Sequence, residues 1–148
     1  MTNQVKKAQA VEIFWESVPP AWIQTRNQIR RIAFSKFHLT EEQFQILRRI
    51  RKGSTSVSTL AVAGQTSRSA VSKAVDALVR RGLVTRSQDP SDRRNIPLAL
   101  TNEGRRVMDG IFTEAEAWLS THFESISQEE LETLLLGMKI LLKAFSNP

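Results

Sequence analysis

Residues 67–100 read SRSAVSKAVDALVRRGLVTRSQDPSDRRNIPLAL, and two different periodicities share this stretch. Val71, Ala74, Val75 and Leu78 recur at intervals of three and four, which places them on one face of a helix. Ser67, Arg68, Ser69, Ser72 and Lys73 then point elsewhere. Ser67 can accept a hydrogen bond from a first-turn N–H, Arg80 and Arg81 suit the negative end of the helix dipole, and Gly82 supplies a flexible stop. Leu83 to Ser87 and Ile96 to Leu100 read as strands around a turn-rich loop that contains Asp89, Pro90, Asp92, Arg93 and Arg94. Two adjacent arginines at the tip of a ribbon make poor core material and good ligands for phosphate or the minor groove. The alternative is a solvated hairpin tip; the polar-faced helix in front of it favours a nucleic-acid role.

The segments on either side supply the rest of a mostly helical architecture. Lys6 to Val18 is expected to be one helix, interrupted by Pro19 and Pro20, with a second running from there to about Phe37. Thr40 to Gln43 forms a capping-box pattern that opens a helix with Phe44, Leu47 and Ile50 inward and Gly53 near its end. Ser56 to Ala63 is a short helix, and Gly64 breaks it only a few residues before Ser67. Two helices joined by a tight glycine-containing turn form a helix-turn-helix, and the ribbon behind it makes the arrangement winged.

Beyond the ribbon, Thr101 caps a long helix carrying Val107, Met108, Ile111, Phe112, Ala115, Leu119 and Phe123, which ends before Ser127. Ser127 and Glu130 form another capping box. The last helix is apolar on more than one face, with Leu131, Leu134, Leu135, Leu136, Met138, Ile140, Leu141, Leu142 and Phe145. One small domain cannot bury all of these, and a second copy is the economical partner because closed symmetric pairs are the commonest assemblies. A monomer wrapping its own C-terminal hairpin is the alternative. The expected organisation is therefore a single chain, 1–148, with helical dimerisation regions at 1–38 and 101–148 around a winged helix-turn-helix lobe at 39–100.

Charge divides along the same lines. The chain of 148 residues has a net charge of +6, yet residues 40–100 hold eleven Lys or Arg against five Asp or Glu. Residues 101–148 hold four against eight. A basic middle beside an acidic tail points to a polyanion partner for the middle alone. The chain has no Cys and no Tyr, which rules out disulfides, zinc–thiolate sites and thiol redox switching. It also lacks a glycine-rich phosphate loop and a His–Glu metal motif, so neither an enzyme, a cofactor nor a bound metal is expected. His38 and His122 stand without a carboxylate cluster. No signal-peptide run opens the chain, and nowhere do about eighteen apolar residues occur together, so a cytoplasmic protein with no membrane partner is expected.

The run Leu60, Ala61, then Ser67 to Leu78, Gly82, Leu83, Val84 and Arg86, then Asp89, Pro90, Asp92, Arg93 and Arg94, then Leu100, Thr101 and Gly104 resembles the MarR family of winged-helix regulators. The wing pattern Asp-x-Arg followed by Leu-Thr-x-x-Gly is the most specific part. The resemblance implies a homodimer joined through its first and last helices that binds a pseudo-palindromic operator in double-stranded DNA and represses nearby genes. It implies that Ser67, Arg68, Ser69, Ser72 and Lys73 enter the major groove, and that Arg94, helped by Arg93 and held by Asp92, reaches the minor groove. Arg86 would brace the wing or touch phosphate. Many relatives also respond to small aromatic or phenolic acids in a crevice beside the DNA-binding lobe. The candidate lining residues for such an effector are Trp15, Trp22, Arg31, Phe34, Phe37 and His38, although aromatics at helical spacing also suit a core. The alternative function is a winged-helix module for protein contacts without specific DNA binding. Arg68, Lys73, Arg93 and Arg94 favour nucleic acid, and the missing stacking aromatics disfavour RNA.

Overall fold

A computed structural model describes residues 2–87 and 96–146. Within them the helices are α1 (Asn3–Phe37), α2 (Glu41–Arg51), α3 (Val57–Gly64), α4 (Arg68–Arg80), α5 (Asn102–Thr121) and α6 (Gln128–Ser146). The strands β1 (Val84–Arg86) and β2 (Leu98–Leu100) pair antiparallel, with Val84 opposite Leu100 and Arg86 opposite Leu98. The chain divides into two compact units, Met1–Ala115 and Glu116–Pro148. Among the described residues, no helix is long and apolar enough to cross a membrane.

The expected break at Pro19 and Pro20 does not occur: both prolines lie inside a single helix of 35 residues. Their fixed φ is itself helical, so the helix can continue through them, at the cost of the two hydrogen bonds to the Trp15 and Glu16 carbonyls and of crowding between the rings and those carbonyls. Trp15, Glu16 and Ser17 are exposed, which leaves room for the pyrrolidine rings and gives water access to the carbonyls left unpaired. At its far end α1 turns at His38, in the left-handed region at φ 53°.

The helix-turn-helix is built from reciprocal caps. Thr40 and Gln43 close the capping box of α2, and Ser56 and Thr59 close one on α3 that the sequence reading did not identify. The break after α3 is made by Gln65 at φ 50° and not by Gly64, the last helical residue. Gln65 N–H reaches the Val62 carbonyl at 3.1 Å and Thr66 N–H the Ala61 carbonyl at 3.1 Å, the doubly bonded helix stop that glycine normally serves. A left-handed side chain costs about 1–2 kcal/mol, and glycine gives back about half of that in chain entropy. Gln65→Gly should therefore raise stability by about 0.5–1 kcal/mol in a urea melt; a drop would show that the Gln65 side chain contributes more than its backbone costs. At the end of α4 the same stop is made at Gly82, φ 70°, with Leu83 N–H on the Leu78 carbonyl at 3.0 Å.

The core of the first unit gathers Phe44, Ile46, Leu47 and Ile50 from α2, Leu60 and Ala61 from α3, and Val71, Ala74, Val75 and Leu78 from α4. Leu39, Leu83, Val84, Leu98 and Leu100, with Ile32 and Ala33 of α1 and Met108, Ile111 and Ala115 of α5, complete it, so the core draws on residues on both sides of the 39–100 segment. Burying one such aliphatic side chain contributes about 1.5–3 kcal/mol. Leu98 N–H bonds the Thr55 carbonyl at 2.8 Å, which pins β2 to the loop before α3. The strands are shorter than the sequence suggested, because only three residues on each side form the ladder.

In the second unit, Ser127 N–H bonds Glu130 Oε2 at 2.9 Å, and Glu130 N–H returns to Ser127 Oγ at 3.3 Å. The Ser127 backbone N–H holds the Glu130 carboxyl below the usual carboxylate range, so this cap is intact at neutral pH and weakens as pH falls through the lowered value. No residue of α6 is buried; Leu135, Leu136, Met138, Ile140, Leu142 and Phe145 are all exposed.

Candidate nucleic-acid interface

The recognition surface begins with how α4 is anchored. Its apolar stripe, Val71, Ala74, Val75 and Leu78, is buried as the spacing predicted, and Ser67 Oγ accepts the Ala70 N–H at 3.1 Å. Burial of that stripe leaves Arg68, Ser69 and Lys73 exposed and Ser72 half-buried. Ser72, Lys73 and Asp76 stand three, four and seven positions after Ser69, so the four share one face.

The basic residues of the lobe then separate into two kinds. Several are held by the fold. Arg49 Nη2 donates to the Ala63 carbonyl at 3.1 Å and so caps α3. Arg81 donates to the Phe37 and His38 carbonyls, both at 2.9 Å, and so caps α1 instead of serving its own helix. Arg51 pairs with Asp109 at 2.7 Å. Arg86 pairs with Asp76 at 2.6 Å, which ties α4 to β1. Arg68, Lys73 and Arg80, by contrast, meet no carboxylate among the described residues, and their charge is available to a polyanion.

Arg86 is thus a brace before it is a ligand. The sequence reading missed its partner Asp76; the available signal was an acid on the polar face of an otherwise basic helix, seven residues after Ser69. Just beyond β1 and β2, Ser87 N–H bonds the Pro97 carbonyl at 2.8 Å. Asp92, Arg93 and Arg94 lie outside the described residues.

The six candidate effector residues do not share a cavity. Trp15 is 66% exposed and meets Phe14 edge to face at 5.7 Å. Phe37 packs toward Gly110, and His38 lends its carbonyl to Arg81. Arg31 and Phe34 line a small cleft of about 260 Å³ with Thr40 and Glu41. Of the six, Trp22 alone lines a larger cleft, about 680 Å³, between α1, α2 and α5, where it is joined by Arg26, Arg48, Lys52, Phe44 and Phe112. Those cations were not singled out from sequence, because nothing in their spacing joins residues of α1 to the end of α2.

Comparison with known proteins agrees with this geometry. The MarR family model matches residues 39–96, which contain the helix-turn-helix and β1. The HTH-type transcriptional regulator YdcH of Bacillus subtilis is 30% identical over 129 residues, covering 82% of this chain and 86% of that one. Among solved structures, the transcriptional regulator Tm0710 from Thermotoga maritima superposes with a TM-score of 0.82 at 24% identity, over 90% of this chain and 94% of that one. A point mutant of S. aureus MepR, solved bound to an oligodeoxyribonucleotide, superposes with a TM-score of 0.70 at 18% identity, over 90% of this chain and 98% of that one. The family match, a relative 30% identical over more than four fifths of both chains and the shared winged-helix fold together establish that this chain belongs to the MarR family and is a transcriptional regulator with a DNA-binding winged helix.

Proposed function

We propose that the chain acts as a homodimer that binds a pseudo-palindromic operator and represses transcription by occupying it. The observation that carries this reading is the outward face of α4, where Arg68 and Lys73 stand exposed next to short serines and meet no carboxylate among the described residues. Arg and Lys can donate to guanine O6 and N7 or to phosphate, and serines permit close approach to phosphate oxygens. Arg94 and Arg93, with Asp92 as a buttress, supply the minor-groove contact in this reading. A carboxylate facing phosphate directly would be repelled, whereas one holding an arginine in place is useful.

Dimerisation is supported by the exposed apolar side chains of α6 and of the N-terminal half of α1, where Val5, Val11, Ile13 and Trp15 stand in solvent. Light scattering at micromolar concentration should return about twice the chain mass of 16.8 kDa; the single-chain mass would remove the dimer. With two-fold symmetry the half-sites lie about one helical turn apart, roughly 10–10.5 bp centre to centre.

Anisotropy titration on duplex DNA from upstream of the chain's own gene, beside scrambled duplex and over a salt series, tests the reading. A preference of about a thousandfold with a steep negative salt slope supports it. Equal weak binding to both duplexes, followed by a genome-wide selection that yields no enriched site, would leave a winged-helix module for protein contacts. Release of the operator by a small aromatic or phenolic acid completes the proposal, and calorimetry against a panel of such acids tests that step.

A further inference from the structure

The last carbonyls of α1 are closed in two ways. His38 N–H and Leu39 N–H return to the Phe34 and Ala33 carbonyls at 3.1 and 3.0 Å, which leaves the carbonyls of Phe37 and His38 to be met from elsewhere in the fold. Arg81, 43 positions after His38, meets both: its Nη2 donates to the Phe37 carbonyl and its Nη1 to the His38 carbonyl, each at 2.9 Å. A planar guanidinium holds two carbonyls in one fixed geometry, as a lysine ammonium does not, and its charge sits at the negative end of a 35-residue helix. Arg81 is also the residue that caps the end of α4. Phe37 packs toward Gly110 of α5 at the same corner, so the helix that reads DNA is fastened where α1 and α5 meet.

Burial of the α4 stripe fixes which face of that helix turns inward, but it fixes the tilt less tightly, since helix-packing angles scatter by about 15–20° around their preferred values. The 13 residues of α4 span about 20 Å, so a tilt of about 10° about the Arg81 end would carry the Ser69 end about 3 Å, close to the rise of one base pair. We infer that Arg81 is a positioning residue that sets the separation of the two recognition helices in the dimer, and with it the half-site spacing that the operator must have. This deepens the operator reading above and rests on its homodimer. Arg81 acts through α1 and touches no base in this role, which separates it from Arg68 and Lys73.

A selection on random duplex first yields the operator, and anisotropy then follows duplexes whose half-sites are moved together or apart by one or two base pairs. The unmodified chain should lose about tenfold or more for a change of one base pair, the scale of a single mismatched pair. Arg81→Gln should bind the native spacing about five- to tenfold more weakly, because the competent arrangement becomes a fraction of the population, and should lose only about threefold or less when the spacing changes. Arg81→Lys keeps the charge without the fork and should recover only part of the preference. Arg80→Gln, one position earlier and outside the fork, controls for a lost charge and should keep the preference sharp whatever it costs in affinity. Arg81 is exposed, so its replacement leaves the core intact, and a second measurement needs no DNA. The chain has no Cys, so Ser69→Cys places a single spin label on the exposed face of α4, and the distance between the two labels of the dimer should be narrowly distributed with Arg81 and broadened in Arg81→Gln. A spacing preference as sharp in Arg81→Gln as in the unmodified chain, or an unchanged distance distribution, would overturn the assignment. So would an equal loss on scrambled duplex with a salt slope lowered by about one, which would make Arg81 a phosphate ligand. An unmodified chain with no spacing preference at all would remove the two-fold operator reading and the role of Arg81 with it, whereas a preference that survives in Arg81→Gln removes the role of Arg81 alone.

Discussion

Gly104→Ala should destabilise the chain by about 3 kcal/mol, at the upper end of the cost of forcing atoms into a packed site, and should lower the urea midpoint accordingly. The reason lies in how α5 starts. Thr101 Oγ1 accepts the Gly104 N–H at 2.9 Å and donates to the Gly82 carbonyl at 2.5 Å, while Thr101 N–H bonds the Leu83 carbonyl at 3.1 Å. These bonds draw the first turn of α5 onto the residues that end α4 and begin the ribbon. A Cβ on Gly104 would lie 2.1 Å from the Leu83 carbonyl oxygen, a backbone atom that cannot swing aside. Relief requires α5 to withdraw and give up the Thr101 bonds. Gly110→Ala is the internal comparison, because its Cβ would meet the Phe37 ring at 2.8 Å, a side chain that can yield, and alanine returns about 1 kcal/mol of helix propensity. Equal melts for the two variants would sink the packing account. The Leu-Thr-x-x-Gly pattern is, in these terms, a statement about one close backbone approach.

Arg94→Ala should weaken specific operator binding by about 1–3 kcal/mol, roughly a 5- to 150-fold rise in Kd, the scale of one good base-level contact. In the proposed complex α4 enters the major groove and Arg94 the adjacent minor groove, so its loss removes a contact that other cations on the lobe cannot supply. Arg86 is committed to Asp76 and Arg81 to the end of α1. Titrations at matched salt with operator and scrambled duplex distinguish the roles. A drop confined to the operator assigns Arg94 to specific contact; an equal drop on both assigns it to phosphate, and unchanged affinity rejects the wing assignment.

The DNA-reading elements were legible because each is written locally. The three-and-four spacing of Val71, Ala74, Val75 and Leu78 predicts both that face's burial and the exposure of Arg68, Ser69 and Lys73. The caps at Thr40, Ser67, Thr101 and Ser127 each involve residues three apart and appear as expected. The misreadings concern sites where local preference was outweighed. Pro19 and Pro20 stop most helices, yet here their φ fits the helix and their surroundings are open. Gly64 is the conventional break, yet Gln65 takes the left-handed turn, while a Cβ on Gly64 would meet the Arg49 side chain, Nη1 at 3.0 Å.

Composition and short-range spacing suffice for most of the elements, the polar face of the recognition helix, the charge asymmetry between the middle and the tail, and the absence of thiol chemistry, because none of these depends on a distant partner. Which cations are free is a different matter, settled by long-range packing. Arg49, Arg51, Arg81 and Arg86 look identical in sequence to Arg68 and Lys73, but each is engaged by a carbonyl or carboxylate from 10 to 58 positions away. The cleft around Trp22 has the same origin. Its cations come from α1, α2 and the residue that follows α2, its aromatics from α1, α2 and α5, and such a group exists only once helices distant in sequence pack against one core.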